Sequence, residues 1–431
     1  MESLTFFFIF ILMEIISVFI FGLGYLAIAF EHPLKINKTA SALLTGVLVW
    51  VVFALVKGEG ELGQLSHHLG STSEILFFLL GAMTLVELID AHQGFRFVNQ
   101  LIQTKNSSKL LWIVGIVTFF ISAALDNLTT AIVMVTLLRK LISDSQTRKY
   151  FVGVVVIAAN AGGAWSPIGD VTTTMLWIGG QISALGIIKV LFLPALVSLL
   201  VPLAVGAYWV RNEKLGVPLP LPALSKAEEK EGKIMLFAGV ASLLGVPIFK
   251  SLTHLPPYMG ILLGLGIVWI LSEILHSDKD EAAKKPYTVG FALSKVDTSS
   301  VLFFLGILLA IGALESFGYL ESLAVFLENT LGNQYLIVTM IGLASSVVDN
   351  VPLVAATMGM YSLTDFPLDH AMWKYLAFCA GTGGSILIIG SAAGVAVMGM
   401  EKIEFIWYAK KIGILALFGY FAGAATYLFF V

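Results

Sequence analysis

The chain has 431 residues, of which 58% are hydrophobic and 12% charged, against about 25% charged in a soluble domain. Its net charge of -3 and lack of any basic tract give no pointer to nucleic acid. A single cysteine, Cys379, excludes an internal disulfide framework.

The start, Met1-Glu2-Ser3-Leu4, lacks the positive n-region of a signal peptide, so the first apolar run is expected to be a permanent span. Apolar stretches follow in order near 4–30, 39–56, 73–92, 109–143, 149–180, 183–210, 234–253, 257–275, 299–317, 334–361, 371–400 and 406–430. A helix needs roughly twenty such residues to cross about 30 Å of hydrocarbon. The stretches 109–143 and 334–361 are too long for one span and too short for two. Each is broken mid-way by the same dipeptide, Asp126-Asn127 and Asp349-Asn350, which predicts a re-entrant hairpin. The stretches 149–180 and 371–400 are interrupted by glycines at mid-depth and are expected to be helices with unwound centres. Such backbone survives in a bilayer only beside protein or a water-lined cavity.

These interruptions recur. Asp126-Asn127 precedes Gly162-Gly163 and Gly169, Asp349-Asn350 precedes Gly383-Gly384 and Gly390, and Phe77-Phe78 is echoed by Phe303-Phe304, with offsets of about 221–226 residues. The pattern predicts an all-α polytopic membrane protein built as a duplication, five spans and one hairpin in each half. The first repeat is read as 1–210, a cytoplasmic linker as 211–233, and the second repeat as 234–431.

Lys and Arg collect in cytoplasmic loops. Residues 96–149 hold Arg96, Lys105, Lys109, Arg139, Lys140, Arg148 and Lys149, whereas the matching region 318–374 holds only Lys374. The first hairpin is therefore expected to open inside and the second outside, with both termini external. Two halves of opposite orientation form an inverted repeat, a plan common in secondary transporters. The expected home is the inner (cytoplasmic) membrane.

Two hairpin tips and two broken helices should meet near the midplane. The first half supplies Asp126, Asn127, Thr129 and Thr130 at its tip, and Asn160, Ser166, Asp170, Thr172 and Thr173 at its break. The second supplies Ser345, Ser346, Asp349 and Asn350, then Thr382, Ser385 and Ser391. Oxygen ligands of this kind suit a hard cation, and no Lys or Arg lies in the predicted centre to suit an anion. An ionised carboxylate at membrane depth is costly, so without a cation it tends to take up a proton. A group that holds either a proton or a metal ion is an exchanger, and Asp126 and Asp170 are assigned the main competition, with Na+ at Asp126, Asn127 and Asp170. Asp349 is the repeat partner of Asp126, whereas the partner of Asp170 is Ser391. Glu87 and Glu315 are candidates for a proton path or for structural pairs. Plainer roles stand beside these: the Asp-Asn pairs as helix caps, the glycines as close-packing positions, Asp170 as a simple helix start. No cofactor is expected.

At these residues the sequence resembles the NhaD-type sodium/proton antiporters of the ion transporter superfamily over nearly its full length. The resemblance rests on Glu31-His32-Pro33-Leu34-Lys35, the run Phe77-Phe78-Leu79-Leu80-Gly81-Ala82-Met83-Thr84, Leu125-Asp126-Asn127-Leu128-Thr129-Thr130 and Ser166-Pro167-Ile168-Gly169-Asp170-Val171-Thr172-Thr173. It implies extrusion of Na+ and Li+ driven by H+ entry. It also implies a scaffold domain, a transport domain that moves as an elevator, and a homodimer. Carried onto matching positions it points to Asp126, Asn127, Thr129, Asn160, Asp170, Thr172, Thr173, Ser345, Asp349 and Asn350. Related members carry dicarboxylates or arsenite with Ser-Asn-Thr tips where this chain has Asp-Asn. Pro352 departs from the first half, which has Thr129 there. The alternatives are an anion or metalloid carrier on the same scaffold and, more remotely, an intramembrane aspartyl protease using Asp126 and Asp349.

Overall fold

The computed structural model describes residues 2–58, 61, 63–96, 104, 106–213, 215 and 225–430. Lys105 and, within the predicted linker 211–233, residues 214 and 216–224 lie outside the described residues. Among the described residues the secondary structure is entirely helical, and eight helices are long and apolar enough to cross a membrane. The protein is a polytopic membrane protein.

The main helices are α1 (Glu2–Ala29), α2 (Lys38–Lys57), α3 (Gly63–Ala91), α4 (Ser107–Ala124), α5 (Asn127–Leu141), α6 (Ser145–Ala164), α7 (Val171–Ile178), α8 (Ala184–Trp209), α9 (Lys226–Thr253) and α10 (Pro257–Leu275). They continue as α11 (Thr298–Ser316), α12 (Tyr319–Leu331), α13 (Gln334–Ala344), α14 (Asn350–Met360), α15 (Ala371–Gly383), α16 (Ala392–Glu401) and α17 (Ile414–Phe430). All four interruptions expected from the sequence are present: α4/α5 at Leu125-Asp126, α6/α7 at 165–170, α13/α14 at 345–349 and α15/α16 at 384–391. The amphipathic α12 is a helix that hydropathy assigns to no span.

Helix starts follow local chemistry. Asn37, Asn106, Asp144 and Ser183 each accept a backbone N–H of the following turn, meeting donors that the helix itself cannot. At the head of α9, Ser225 and Glu228 form a reciprocal capping box.

The chain divides into two compact units, each drawing on both halves of the sequence. The first comprises Met1–Phe77, Asp297–Ile337 and Val351–Pro367. Its centre is the pair α2 and α11, joined where Thr39 Oγ1 donates to Ser299 O at 2.9 Å and Trp50 Nε1 donates to Leu309 O at 2.8 Å. Phe53 stands edge-on to Phe317, ring centres 5.0 Å apart. The buried indole N–H thus keeps a partner while its ring contributes apolar area.

The second unit comprises Phe78–Val296, Val338–Asn350 and Leu368–Val431. Here α6 is buried at every position from Phe151 to Ala164, and α15 from Tyr375 to Gly383. Helices that are apolar all round belong at the centre of a bundle. α4, α5 and α8 pack around α6, and α17 packs on α8 and α15.

Candidate functional site

The first break of the second unit follows from residue chemistry. After α4 the chain is extended at Leu125 and Asp126, and Asp126 caps α5, accepting Thr129 N at 2.9 Å on Oδ1 and Thr129 Oγ1 at 2.5 Å on Oδ2. After α6, Asp170 is again extended (φ -147, ψ 147) and caps α7. Its Oδ1 accepts Thr172 N at 2.8 Å and Thr172 Oγ1 at 2.7 Å. Both acids therefore do cap helices, as the plainer reading held. Ser122 Oγ donates to Ala159 O at 2.6 Å and Ser166 Oγ to Ala123 O at 2.5 Å, so the end of α4 is stitched to the unwound stretch. The approach is tight: a Cβ on Gly169 would stand 2.6 Å from Ser122 O.

The later segments of the same unit make matching contacts. Ser345 Oγ donates to Ala380 O at 2.8 Å, and a Cβ on Gly390 would stand 2.5 Å from Ser345 O. Ser391 has nearly the dihedral angles of Asp170 (φ -144, ψ 152) and caps α16, accepting Gly394 N at 3.2 Å. The two caps differ in one respect: the first is a carboxylate and the second a hydroxyl.

Between the breaks lies a network of seven buried side chains: Asn127, Asn160, Asp170, Thr172, Asn350, Ser385 and Ser391. Asn127 Nδ2 donates to Asp170 Oδ2 at 2.5 Å and to Asn160 Oδ1 at 3.0 Å. Asn160 Nδ2 donates to the hydroxyls of Ser385 and Ser391, each at 3.0 Å. Asn350 Nδ2 stands 3.4 Å from both oxygens of Asp170. The charges that act on Asp170 are the carboxylates of Asp349 and Asp126. Among the described residues, no Lys or Arg takes part in this network.

The remaining candidates are placed less centrally. Thr130 is buried with its Oγ1 unpartnered, one turn into α5. Thr173 Oγ1 returns to Asp170 O at 2.9 Å and Thr382 Oγ1 to Phe378 O at 2.6 Å, so both hydroxyls are engaged by backbone. Ser346 Oγ likewise donates to Leu343 O at 2.7 Å. Asp349 is half-buried immediately before Asn350. Glu87 is half-buried on α3, with Asp90, Lys295 and Asp126 as its charged neighbours. Glu315 is exposed on α11 and belongs to the first unit, whereas the other candidates belong to the second.

Sequence reasoning missed Glu401 at the end of α16. Its side chain is 2% exposed and accepts Arg139 Nε at 2.6 Å and Arg148 Nε at 2.8 Å. It ties the last turn of α5 and the first of α6 to α16. The three residues are scattered over 262 positions in sequence, and no local pattern joins them.

A profile of the family described as citrate transporter matches residues 8–373. The chain is 53% identical over 418 residues to sodium/proton antiporter 1 of Arabidopsis thaliana, covering 96% of this chain and 72% of that one. It is 50% identical over 413 residues to sodium/proton antiporter 2 of the same plant, covering 95% and 98%. With the Na+/H+ antiporter NhaD of Vibrio cholerae it shares 32% identity over 446 residues, covering 96% and 91%. The chain belongs to the NhaD-type sodium/proton antiporter family. NhaD-type proteins are transporters and not enzymes, which removes the aspartyl protease reading. The Asp126-Asn127 tip and the Asp170 break, on which the resemblance rested, are the elements that build the buried network of this NhaD-type chain.

Proposed function

We propose that the chain exports Na+, and Li+ with it, in exchange for H+, by alternating access at the buried network of the second unit. The observation that carries this reading is the environment of Asp170. Its carboxylate is buried, and its donors are the neutral amides of Asn127 and Asn350 and the hydroxyl and N–H of Thr172. A buried carboxylate in a neutral cage is stable as an acid or as the ligand of a cation, and not as a bare charge. Proton and Na+ are then alternatives at one group, which is the requirement for exchange.

In this reading Asp126, Asn127 and Asp170 hold Na+. Asn160, Thr172, Thr173, Ser345, Asp349, Asn350, Thr382, Ser385 and Ser391 supply or orient the surrounding oxygens, with Thr129 and Thr130 at the tip. All are hard oxygen ligands or their hydrogen-bond partners. Glu87, whose field reaches Asp126, and Glu315 serve the proton path. Each charge moved through 100 mV is worth about 2.3 kcal/mol, so more than one H+ per Na+ lets the membrane potential drive export.

The matched pairs Asp170/Ser391, Ser122/Ser345 and Gly169/Gly390 support the inverted repeat of 1–210 and 234–431 about a cytoplasmic linker. The distribution of Lys and Arg supports external termini in an inner membrane, and the family resemblance supports a homodimer and an elevator movement. The citrate transporter description of the matching family favours an anion as the second reading. The absence of Lys and Arg from the network among the described residues speaks against it.

The test is reconstitution in vesicles carrying an imposed ΔpH. Addition of Na+ or Li+ should dissipate the gradient, and Asp170→Asn should abolish this while the protein still inserts. Uptake of citrate or arsenite without Na+-dependent proton movement would replace this reading with the anion carrier.

A further inference from the structure

A second feature of the second unit lies outside the ion network: a cavity of about 380 Å³ at the ends of three helices. Tyr150 enters it from the first turns of α6, Tyr208 and Trp209 from the end of α8, and Arg211 and Asn212 from the chain just beyond. Lys411 enters from a π-helical turn, Ala409–Gly413, that leads into α17. A π turn inserts a residue into the helical ladder and is frequent at functional positions; here it presents Lys410 and Lys411 side by side at the surface.

The charge of this cavity is unspent. Among the described residues neither Arg211 nor Lys411 forms an ion pair. Arg211 lies over the ring of Tyr208 at 4.0 Å, which orients the guanidinium without neutralising it. The single carboxylate of the lining, Glu213, accepts Thr147 Oγ1 at 3.3 Å. Tyr150 in turn stands edge-on to Trp407, ring centres 5.1 Å apart. Tyr and Trp concentrate where hydrocarbon gives way to headgroups, so the cavity stands at headgroup level.

The helices beside it carry exposed apolar side chains: Val205 and Tyr208 on α8, and Ile414, Phe418 and Phe421 on the face of α17 turned away from the Gly419 and Gly423 that pack on α8. The spacings are one helical turn, so each set is a single face. A cationic, hydrogen-bonding cup beside exposed apolar helix faces matches an amphiphile with a phosphate head and acyl tails. It matches free phosphate only at the cup.

We propose that this cavity is a binding site for the phosphate headgroup of an anionic phospholipid, held by Arg211 and Lys411 with Tyr150 and Asn212 as hydrogen-bond partners. The acyl chains lie against the exposed apolar faces of α8 and α17. Each basic residue near a membrane surface contributes a modest attraction to anionic lipid, and a defined cup adds the geometry that a diffuse patch lacks.

Native mass spectrometry of the purified full chain in neutral detergent tests this, with phosphatidylglycerol, phosphatidylcholine and inorganic phosphate as separate probes. Phosphatidylglycerol should remain bound in preference to phosphatidylcholine. The double variant Arg211→Gln/Lys411→Gln should bind phosphatidylglycerol about tenfold more weakly or worse, with phosphatidylcholine unchanged. A parallel variant, Lys410→Gln, outside the lining, should retain it. Unaltered melting of the double variant without lipid separates lost binding from lost folding, and Val205→Asn/Phe418→Asn should weaken lipid while sparing the cup. Equal retention of the two lipids, equal binding by wild type and double variant, or displacement of lipid by millimolar inorganic phosphate would each overturn the assignment.

Discussion

Asn127 and Asp170 are 43 residues apart in sequence and cap or open different helices, yet the amide nitrogen of one stands 2.5 Å from the carboxylate of the other. The same nitrogen reaches Asn160 Oδ1 at 3.0 Å. One amide thus links the hairpin tip to both sides of the unwound stretch, and its loss should be felt at all three.

Asn127→Ala removes the donor from two buried acceptors at once. Leaving such groups unsatisfied costs about 1–3 kcal/mol each, so the variant is expected to melt lower than wild type. It should also need a markedly higher Na+ concentration for half-maximal exchange. The measurement is Na+-dependent dissipation of ΔpH in vesicles, with melting followed in detergent. Wild-type Na+ dependence in this variant would remove Asn127 from the site.

The breaks were legible in the sequence because they depend on local chemistry. Asp and Asn favour helix caps and glycine weakens a helix; the four interruptions fall at or just after those residues, with Gly162-Gly163 and Gly383 still helical. The convergence of Asn127, Asn160, Asp170 and Asn350 was legible through the recurrence of the motifs. What escaped the reading depends on side chains meeting over long separations. Glu401 joins Arg139 and Arg148 across more than half the chain, and the amphipathic α12 carries no long apolar run. That Glu315 belongs to the other compact unit was not legible either, because a hydropathy profile holds no record of which unit a span enters.

Glu401→Ala should cost stability more than activity. Removing one member of a buried ion pair typically costs about 3–5 kcal/mol. Arg148 is 16% exposed but Arg139 is 45% exposed and can turn to water, so a value near the lower end, about 3 kcal/mol, is expected. Thermal unfolding in detergent reads this directly. A variant that melts with the wild type would mean that the two arginines find other partners.

Gly169→Ala and Gly390→Ala form a matched pair. Each new methyl would meet a serine carbonyl oxygen, at 2.6 Å and 2.5 Å respectively, and rigid backbone cannot yield as a side chain can. Overpacking of this kind costs about 1–3 kcal/mol, so both variants should melt lower and exchange more slowly. Gly399→Ala in α16, where nothing stands within 4 Å of the added carbon, should be neutral or slightly stabilising by helix propensity. Equal behaviour of all three would contradict the close approach of the breaks.

His276 sets an acid limit on stability. It lies just beyond α10 with both ring nitrogens buried and unpartnered, stacked on His92 at 5.0 Å and tilted against Tyr287 at 4.0 Å. Burial first, then Lys279, His92 and Lys284, hold its pKa down at about 4 from a usual 6.5, with Glu273 acting weakly the other way. The unfolded chain therefore takes up the proton first as pH falls. The stability contributed by the neutral ring is complete above the usual value of 6.5 and is lost on descent towards 4. Melting temperature should fall across this window, and His276→Phe, which keeps the stacking and cannot be protonated, should flatten the fall. A variant with the acid sensitivity of wild type would assign the effect elsewhere.

The decisive substitution separates the two roles of Asp170. As a cap it does what Ser391 does for α16 in almost the same backbone conformation, and Ser and Asp are comparable caps. Asp170→Ser should therefore keep α7 in place. The remaining cost is the acceptor lost to Asn127, about 1–3 kcal/mol. What serine cannot replace is a charge that is neutralised by either a proton or a cation. Asp170→Ser is thus expected to insert and to melt lower than wild type by no more than this cost, while Na+- and Li+-dependent proton movement disappears. Asp170→Glu, which keeps the charge but moves it outward by one methylene, should retain a reduced rate. Full exchange by the serine variant would make Asp170 a helix cap and nothing more, and would shift the exchanging group to Asp126 or Asp349.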